Sequence, residues 1–139
     1  MGPGDSWGRR NGAPIASLMP NDRLLQALIF AESSGNPKAK SSKGAHGLMQ
    51  ITQPALTDYN TSQGANFSLD DMMNPNLNQQ VGSWYLDSRI PQMLTHYQLQ
   101  DTIENRLWAY NAGIGNVRKG IKPQETKDYI AKILQLMSQ

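Results

Sequence analysis

The chain contains no cysteine. That excludes disulfides, a thiolate nucleophile and zinc held by thiolates, and it leaves burial and hydrogen bonding to hold the fold. Histidine is nearly as scarce. His46 and His96 stand far apart in dissimilar surroundings, so an imidazole-based site would need both plus carboxylates from elsewhere; no metal and no other cofactor is expected. Long apolar runs are missing too: none approaches the ~18 residues of a membrane span. The stretch Met1 to Arg10 is too polar to contain a signal-peptide core, so the sequence reads as soluble and without an export signal of its own. Charge of one sign does not dominate. The net charge is +2 and the pI about 9.0, without the Lys/Arg clusters that mark a nucleic-acid partner. Alternating strand patterns, internal repeats and low-complexity tracts are also absent.

What is present is helical periodicity. A chain of 139 residues suffices for one domain that buries roughly two-thirds of its unfolded surface. Residues 1–19, rich in Gly, Pro, Ser and Arg with Trp7 isolated, read as a flexible leader or an added segment, and residues 20–139 as the domain. Asn21 or Asp22 can cap a first helix with Leu24 to Phe30 as its body, stopped by Gly35, Asn36 and Pro37. A loop of small and polar residues, 38–47, is a candidate wall for a cleft. Pro54 suits the first turn of a short helix reaching about Tyr59, and 60–74 reads as loop. Asn76 to Ile90 predicts a helix with Leu77, Val81, Trp84 or Tyr85, and Ser88 inward, which Pro91 kinks or ends; Gln92 to Leu99 is a second periodic piece. Asp101 with Glu104 forms a capping-box-like pair for a helix carrying Ile103, Leu107, Trp108 and Tyr110, ended by Gly113 and Gly115. A last helix starts around 123–125 and carries Ile130, Ile133, Leu134 and Met137. The fold class is all-α.

Two polar residues stand out against this apolar pattern. Leu25, Leu28 and Ile29 precede Glu32 at seven, four and three positions, so Glu32 extends an inward-facing stripe into the last turn of its helix. Desolvation there, together with the negative end of the helix dipole, favours a neutral carboxylic acid, a proton donor near pH 7. The alternative is a glutamate that reaches solvent from a frayed end. Gln50 stands alone among Leu48, Met49 and Ile51, either satisfied by a backbone partner or aimed into a cleft. Elsewhere Tyr129 lies on a different flank of the last helix from Ile130 and Leu134, so its hydroxyl can point into a cleft or sit satisfied in the core. Asn111 sits near a helix end, where capping is common. Trp84 and Trp108 fit core packing better than sugar stacking.

Four segments set side by side carry a resemblance: GluSerSerGlyAsnPro at 32–37, GlyLeuMetGlnIle at 47–51, AlaTyrAsnAlaGly at 109–113 and GluThrLysAspTyr at 125–129. In this order and spacing they resemble the four signature motifs of the soluble lytic transglycosylases, lysozyme-like enzymes that cleave peptidoglycan. The match covers about residues 20–138, and segment 74–86 resembles the family's helix between motifs two and three. The resemblance implies a lysozyme-like helical domain of goose-type or transglycosylase kind with a substrate cleft. It implies Glu32 as the single catalytic acid. It implies substrate binding by Ser33, Gln50, Tyr110, Asn111 and Tyr129, with Tyr129 also contacting the acid.

Glycoside hydrolysis ordinarily uses two carboxylates, and between Glu32 and Asp70 the only other one is Asp58. The reaction implied by the resemblance needs only one. Glu32 protonates the oxygen between N-acetylmuramic acid and N-acetylglucosamine, then takes a proton from the muramic acid 6-hydroxyl, which closes a 1,6-anhydro ring without water. Two other readings compete. One is a muramidase resembling goose-type lysozyme, with Asp58, Asp70 or Asp71 positioning water. The other is a peptidoglycan-binding or assembly module without catalysis. The expected partner is the peptidoglycan glycan strand, met by a monomer at the cell wall, in the periplasm or otherwise outside the cytoplasm. A phage virion or lysis protein, a secretion-associated enzyme and a domain of something larger all suit such a chain.

Overall fold

The structure is a computed structural model. It describes residues 20–139 and, before them, the backbone of Arg9–Arg10 and Ala13–Pro14, which pair as two antiparallel two-residue strands, β1 and β2. Two residues are too few to show alternation in a sequence. The rest of the expected leader lies outside the described residues. From Pro20 onward the chain is helical, as expected, and among the described residues no helix is long and apolar enough to cross a membrane. The chain divides into two compact units, one of residues up to Gly82 together with Ile133–Gln139, the other of Ser83–Lys132.

In the first unit, α1 (Pro20–Ser33) buries Leu24, Ala27, Leu28 and Ile29, the one-sided spacing of a packed helix. It stops abruptly. Ser34 and Gly35 take left-handed conformations, with φ of 52° and 80°, and the Ser33 hydroxyl clamps the end by donating to the Ile29 carbonyl and accepting from the Gly35 N–H. Segment 38–51 then folds back on itself. His46 bridges to Lys40 on one side and to Ile51 on the other, which buries Leu48, Met49 and Ile51. Helix α2 (Gln53–Gln63) begins after Thr52 with Pro54 in its first turn and ends on left-handed Gly64.

The expected loop over 60–74 is more ordered than its composition suggests. α2 runs past Tyr59 to Gln63, and a 3-10 turn forms at Asp70–Met73 with Met72 fully buried. Asn60 of α2 exchanges two hydrogen bonds with the backbone of Phe67 in the connection between them, and the Phe67 ring stacks on Tyr59 at 6.0 Å. Helix α3 (Pro75–Trp84) follows. Its buried positions are Asn78, Val81 and Gly82, whereas Leu77, expected inward, is only half-buried.

In the second unit, the expected continuous helix to Ile90 is instead interrupted. A π-helical turn occupies Tyr85–Arg89, where the Ile90 N–H bonds the Tyr85 carbonyl five residues back, and α4 (Ile90–His96) starts with Pro91 in its first turn. A proline inside an α-helix clashes with the carbonyl four residues earlier; the widened turn just before Pro91 relieves that clash while keeping Leu86, Ile90 and Leu94 buried.

Helix α5 (Ile103–Ala112) is capped by Thr102, whose hydroxyl accepts from the Asn105 N–H at 3.1 Å. Asp101, the expected cap, instead takes a two-pronged ion pair from Arg106, at 2.6 and 2.9 Å. Ile103, expected in the body's inner face, is 38% exposed because it is the first helical residue. Gly113 ends α5 as predicted, but Gly115 lies within a further short helix, α6 (Ile114–Lys119). Ile90, Leu94, Ala109 and Val117 form the local core, and Trp108 and Tyr110 pack against it. Helix α7 (Gln124–Met137) closes the chain, with Ile130 and Ile133 buried.

Candidate active site

The first unit holds Glu32, Ser33 and Gln50; the second holds Tyr110, Asn111 and Tyr129. Glu32 occupies the last turn of α1, half-buried, one turn beyond the fully buried Leu28. It is neither the frayed, solvated glutamate nor a sealed core group. The abrupt left-handed exit at Ser34 and Gly35 turns the chain away directly after it.

Ser33 is committed locally. Its hydroxyl hydrogen goes to the Ile29 carbonyl at 3.1 Å, so towards any ligand it has only acceptor capacity left. Gln50 is half-buried and its Nε2 donates to the carbonyls of Gly47 at 2.9 Å and Ala39 at 3.2 Å. Rotating the amide would set Oε1 against two carbonyl oxygens, so this orientation is fixed. Both amide hydrogens are thereby committed, and Oε1 is the part that can accept from a ligand. The backbone-satisfied reading of Gln50 therefore holds for its Nε2 end. Its backbone is left-handed at φ 53°, unusual for a residue with a side chain.

In the second unit, Asn111 lies in the last turn of α5, and its Oδ1 accepts from Thr126 Oγ1 at 2.7 Å. Thr126, on the first turns of α7, is itself buried. This bond ties Asn111 to the segment that carries Tyr129 and leaves the Asn111 Nδ2 hydrogens as donors. Sequence reading missed Thr126, although its place in the fourth motif, three residues before Tyr129, was a signal that could have found it. Tyr110 packs edge-on against Tyr85, ring centroids 6.0 Å apart, and Tyr129 is half-buried on α7.

Trp108 takes the packing role that was favoured for it, against the local core. Trp108 donates Nε1–H to the Ile121 carbonyl at 2.8 Å, and the Lys122 ammonium lies 4.4 Å over its ring. Trp84 sits beside Tyr85 at 6.2 Å.

Chemically, the two sets offer a half-buried carboxyl, an amide presenting an acceptor and an amide presenting donors. The comparisons with known proteins concern the chain as a whole. Residues 16–133 match the transglycosylase SLT domain. The chain is 30% identical over 131 residues to the membrane-bound lytic murein transglycosylase F of Shewanella frigidimarina, covering 84% of this chain and 24% of that protein. With the enzyme of the same name from Haemophilus influenzae strain PittEE it shares 34% identity over 95 residues, 68% of this chain and 18% of the relative. The chain therefore spans about a fifth to a quarter of the length of these relatives. Among solved structures it resembles the 70 kDa soluble lytic transglycosylase of Escherichia coli, with a TM-score of 0.72 and 29% identity over 86% of this chain and 21% of that one. It also resembles a complex of the 70 kDa soluble lytic transglycosylase with bulgecin A, at a TM-score of 0.73 and 26% identity over 88% of this chain and 21% of that one. By its fold and by the extent of these matches, the chain belongs to the transglycosylase SLT domain family.

Proposed function

We propose that this chain is a lytic transglycosylase that cleaves the β-1,4 bond between N-acetylmuramic acid and N-acetylglucosamine in peptidoglycan, outside the cytoplasm, and leaves a 1,6-anhydro sugar. The family supports the substrate class. The observation that carries the choice of acid is the position of Glu32, half-buried on the last turn of α1 beside the fully buried Leu28 and Ile29.

In this reading the Glu32 carboxyl gives its proton to the glycosidic oxygen, and the bond from that oxygen to the muramic acid C1 breaks. The substrate's own acetamido carbonyl stabilises the positive charge at C1. Glu32, now a carboxylate, takes the proton of the 6-hydroxyl while that oxygen bonds to C1. The acid is restored, and no water is consumed. One group serves in both directions, first as acid and then as base.

Substrate recognition divides by hydrogen-bonding sense. An N-acetyl group offers one N–H donor and one carbonyl acceptor. In the first unit Gln50 Oε1 suits the N–H of such a group, because its Nε2 is held by carbonyls; in the second, Asn111 Nδ2 suits the carbonyl of such a group, because its Oδ1 is held by Thr126. Tyr110 and Tyr129 add aromatic surface and hydroxyls. Ser33 contributes by shaping the turn after Glu32. Of the carboxylates named for a hydrolase, Asp71 accepts from the Ser68 N–H at 2.8 Å, Asp70 is exposed and Asp58 is half-buried on α2. The test is Glu32→Gln. Lysis of purified cell walls is expected to disappear while the far-ultraviolet circular dichroism and wall binding persist; unchanged lysis removes Glu32 from the mechanism.

A further inference from the structure

Asn78, on α3, is fully enclosed, and its amide is used at both ends. Oδ1 accepts from the Met49 N–H at 2.8 Å, while Nδ2 donates to the carbonyls of His46 and Met72, both at 2.9 Å. This one side chain therefore clips the residue before Gly47, the residue before Gln50 and the 3-10 turn to a single point on α3.

The packing around the clip leaves no slack. A methyl group at Gly47, whose φ is +78°, would run into the Met72 carbonyl oxygen and Asn78 Nδ2, and one at Gly82 would run into the Met49 sulfur. Segment 46–50 thus packs closely at two glycines, its own Gly47 and Gly82 of α3, and is held by one amide.

What the clip holds is the turn that sets Gln50. That residue follows Met49 directly and has a left-handed backbone, a conformation that persists only where the surroundings over-determine it. Its own side-chain bonds, to Gly47 and Ala39, tie Gln50 to the turn. They do not tie the turn to α3. Asn78 does.

We propose that Asn78 is a positioning residue for substrate binding, fixing the turn 46–50 so that Gln50 Oε1 points where an N-acetyl sugar can be bound. This rests on the reading of Gln50 as a substrate-binding residue. Asn78 touches no substrate itself and acts through Gln50.

The experiment compares Asn78→Ala and Gln50→Ala, singly and together, in cleavage of purified peptidoglycan with kcat and KM resolved, and with circular dichroism to confirm folding. Asn78→Ala is expected to lower kcat/KM by about tenfold or more and to raise KM. In the Gln50→Ala background it should add less than about twofold, because what it positions is already gone. An equal loss in both backgrounds, or none in either, overturns the positioning role. A loss confined to kcat does so too, since a partly unfolded preparation gives that result. If Gln50→Ala alone has no effect, the reading of Gln50 fails and the positioning role falls with it, and this outcome is distinct from the others. Should Asn78→Ala not fold, Gly82→Ala presses on the flexible end of Met49 and disturbs the same turn. Because the added methyl also meets the Met49 Cβ, it strains the Met49 N–H bond to Asn78 Oδ1; the variant is then expected to show the same non-additivity with Gln50→Ala, and an equal loss in both backgrounds again overturns the proposal.

Discussion

At the residue scale the chemistry depends on which end of each polar group the protein has already engaged. Gln50 has its donors engaged and Asn111 its acceptor, so the end left open is the oxygen in one amide and the nitrogen in the other. That both positions carry polar residues of interest was legible from their motifs. The direction in which each amide points was not, because it is decided by the carbonyls of Gly47 and Ala39 and by the hydroxyl of Thr126. Asn78 is further out of reach of sequence reading: its partners Met49 and His46 lie 29 and 32 residues away. The same close packing gives a prediction. Gly47→Ala combines a left-handed φ with a collision against the Met72 carbonyl, a backbone atom that cannot swing aside. It is expected to destabilise the protein by about 2 kcal/mol or more in urea unfolding. A change under ~0.5 kcal/mol would show that the turn yields easily.

At the element scale, helices with strong one-sided periodicity were readable and their ends were less so. α1 and α7 follow their apolar spacing. The interruption before Pro91 was visible as a proline, but not as a π-helical turn, since burial of both Leu86 and Ile90 settles how the extra residue is accommodated. α6 was missed because Gly115 suggests a break, whereas Val117 is buried and holds the short helix in place.

At the start of α5 the cap is Thr102 rather than the expected Asp101, and this can be tested. Thr102 is the cap, so Thr102→Ala should cost about 1 kcal/mol with little dependence on pH. Asp101 pairs with Arg106, whose guanidinium holds its carboxyl below the ordinary value of 3.8. The pair's contribution is therefore present above that value and is lost as the pH falls through the lowered one. Asp87, the other partner of Arg106 at 3.4 Å, is shifted the opposite way because burial outweighs the guanidinium. Asp101→Asn should accordingly be less stable than the wild type by about 0.5 kcal/mol near neutrality, as expected of an exposed pair. The difference should close in acid. A deficit for Asp101→Asn that stays constant down to the lowest pH would remove the ion pair as its cause.

At the scale of the whole molecule, all-helical architecture and membership of the transglycosylase SLT domain family were both within reach of the sequence. Helical periodicity runs through most of the chain, and each of the four motifs is a short contiguous segment whose spacing survives without knowledge of the fold. The reaction rests on different ground, a single acid with no water consumed. That claim is tested most directly by mass spectrometry of the muropeptides released from purified peptidoglycan. The account predicts 1,6-anhydro products, lighter by one water than their hydrolytic counterparts and without a reducing end. Release of reducing, hydrated muropeptides alone would contradict it.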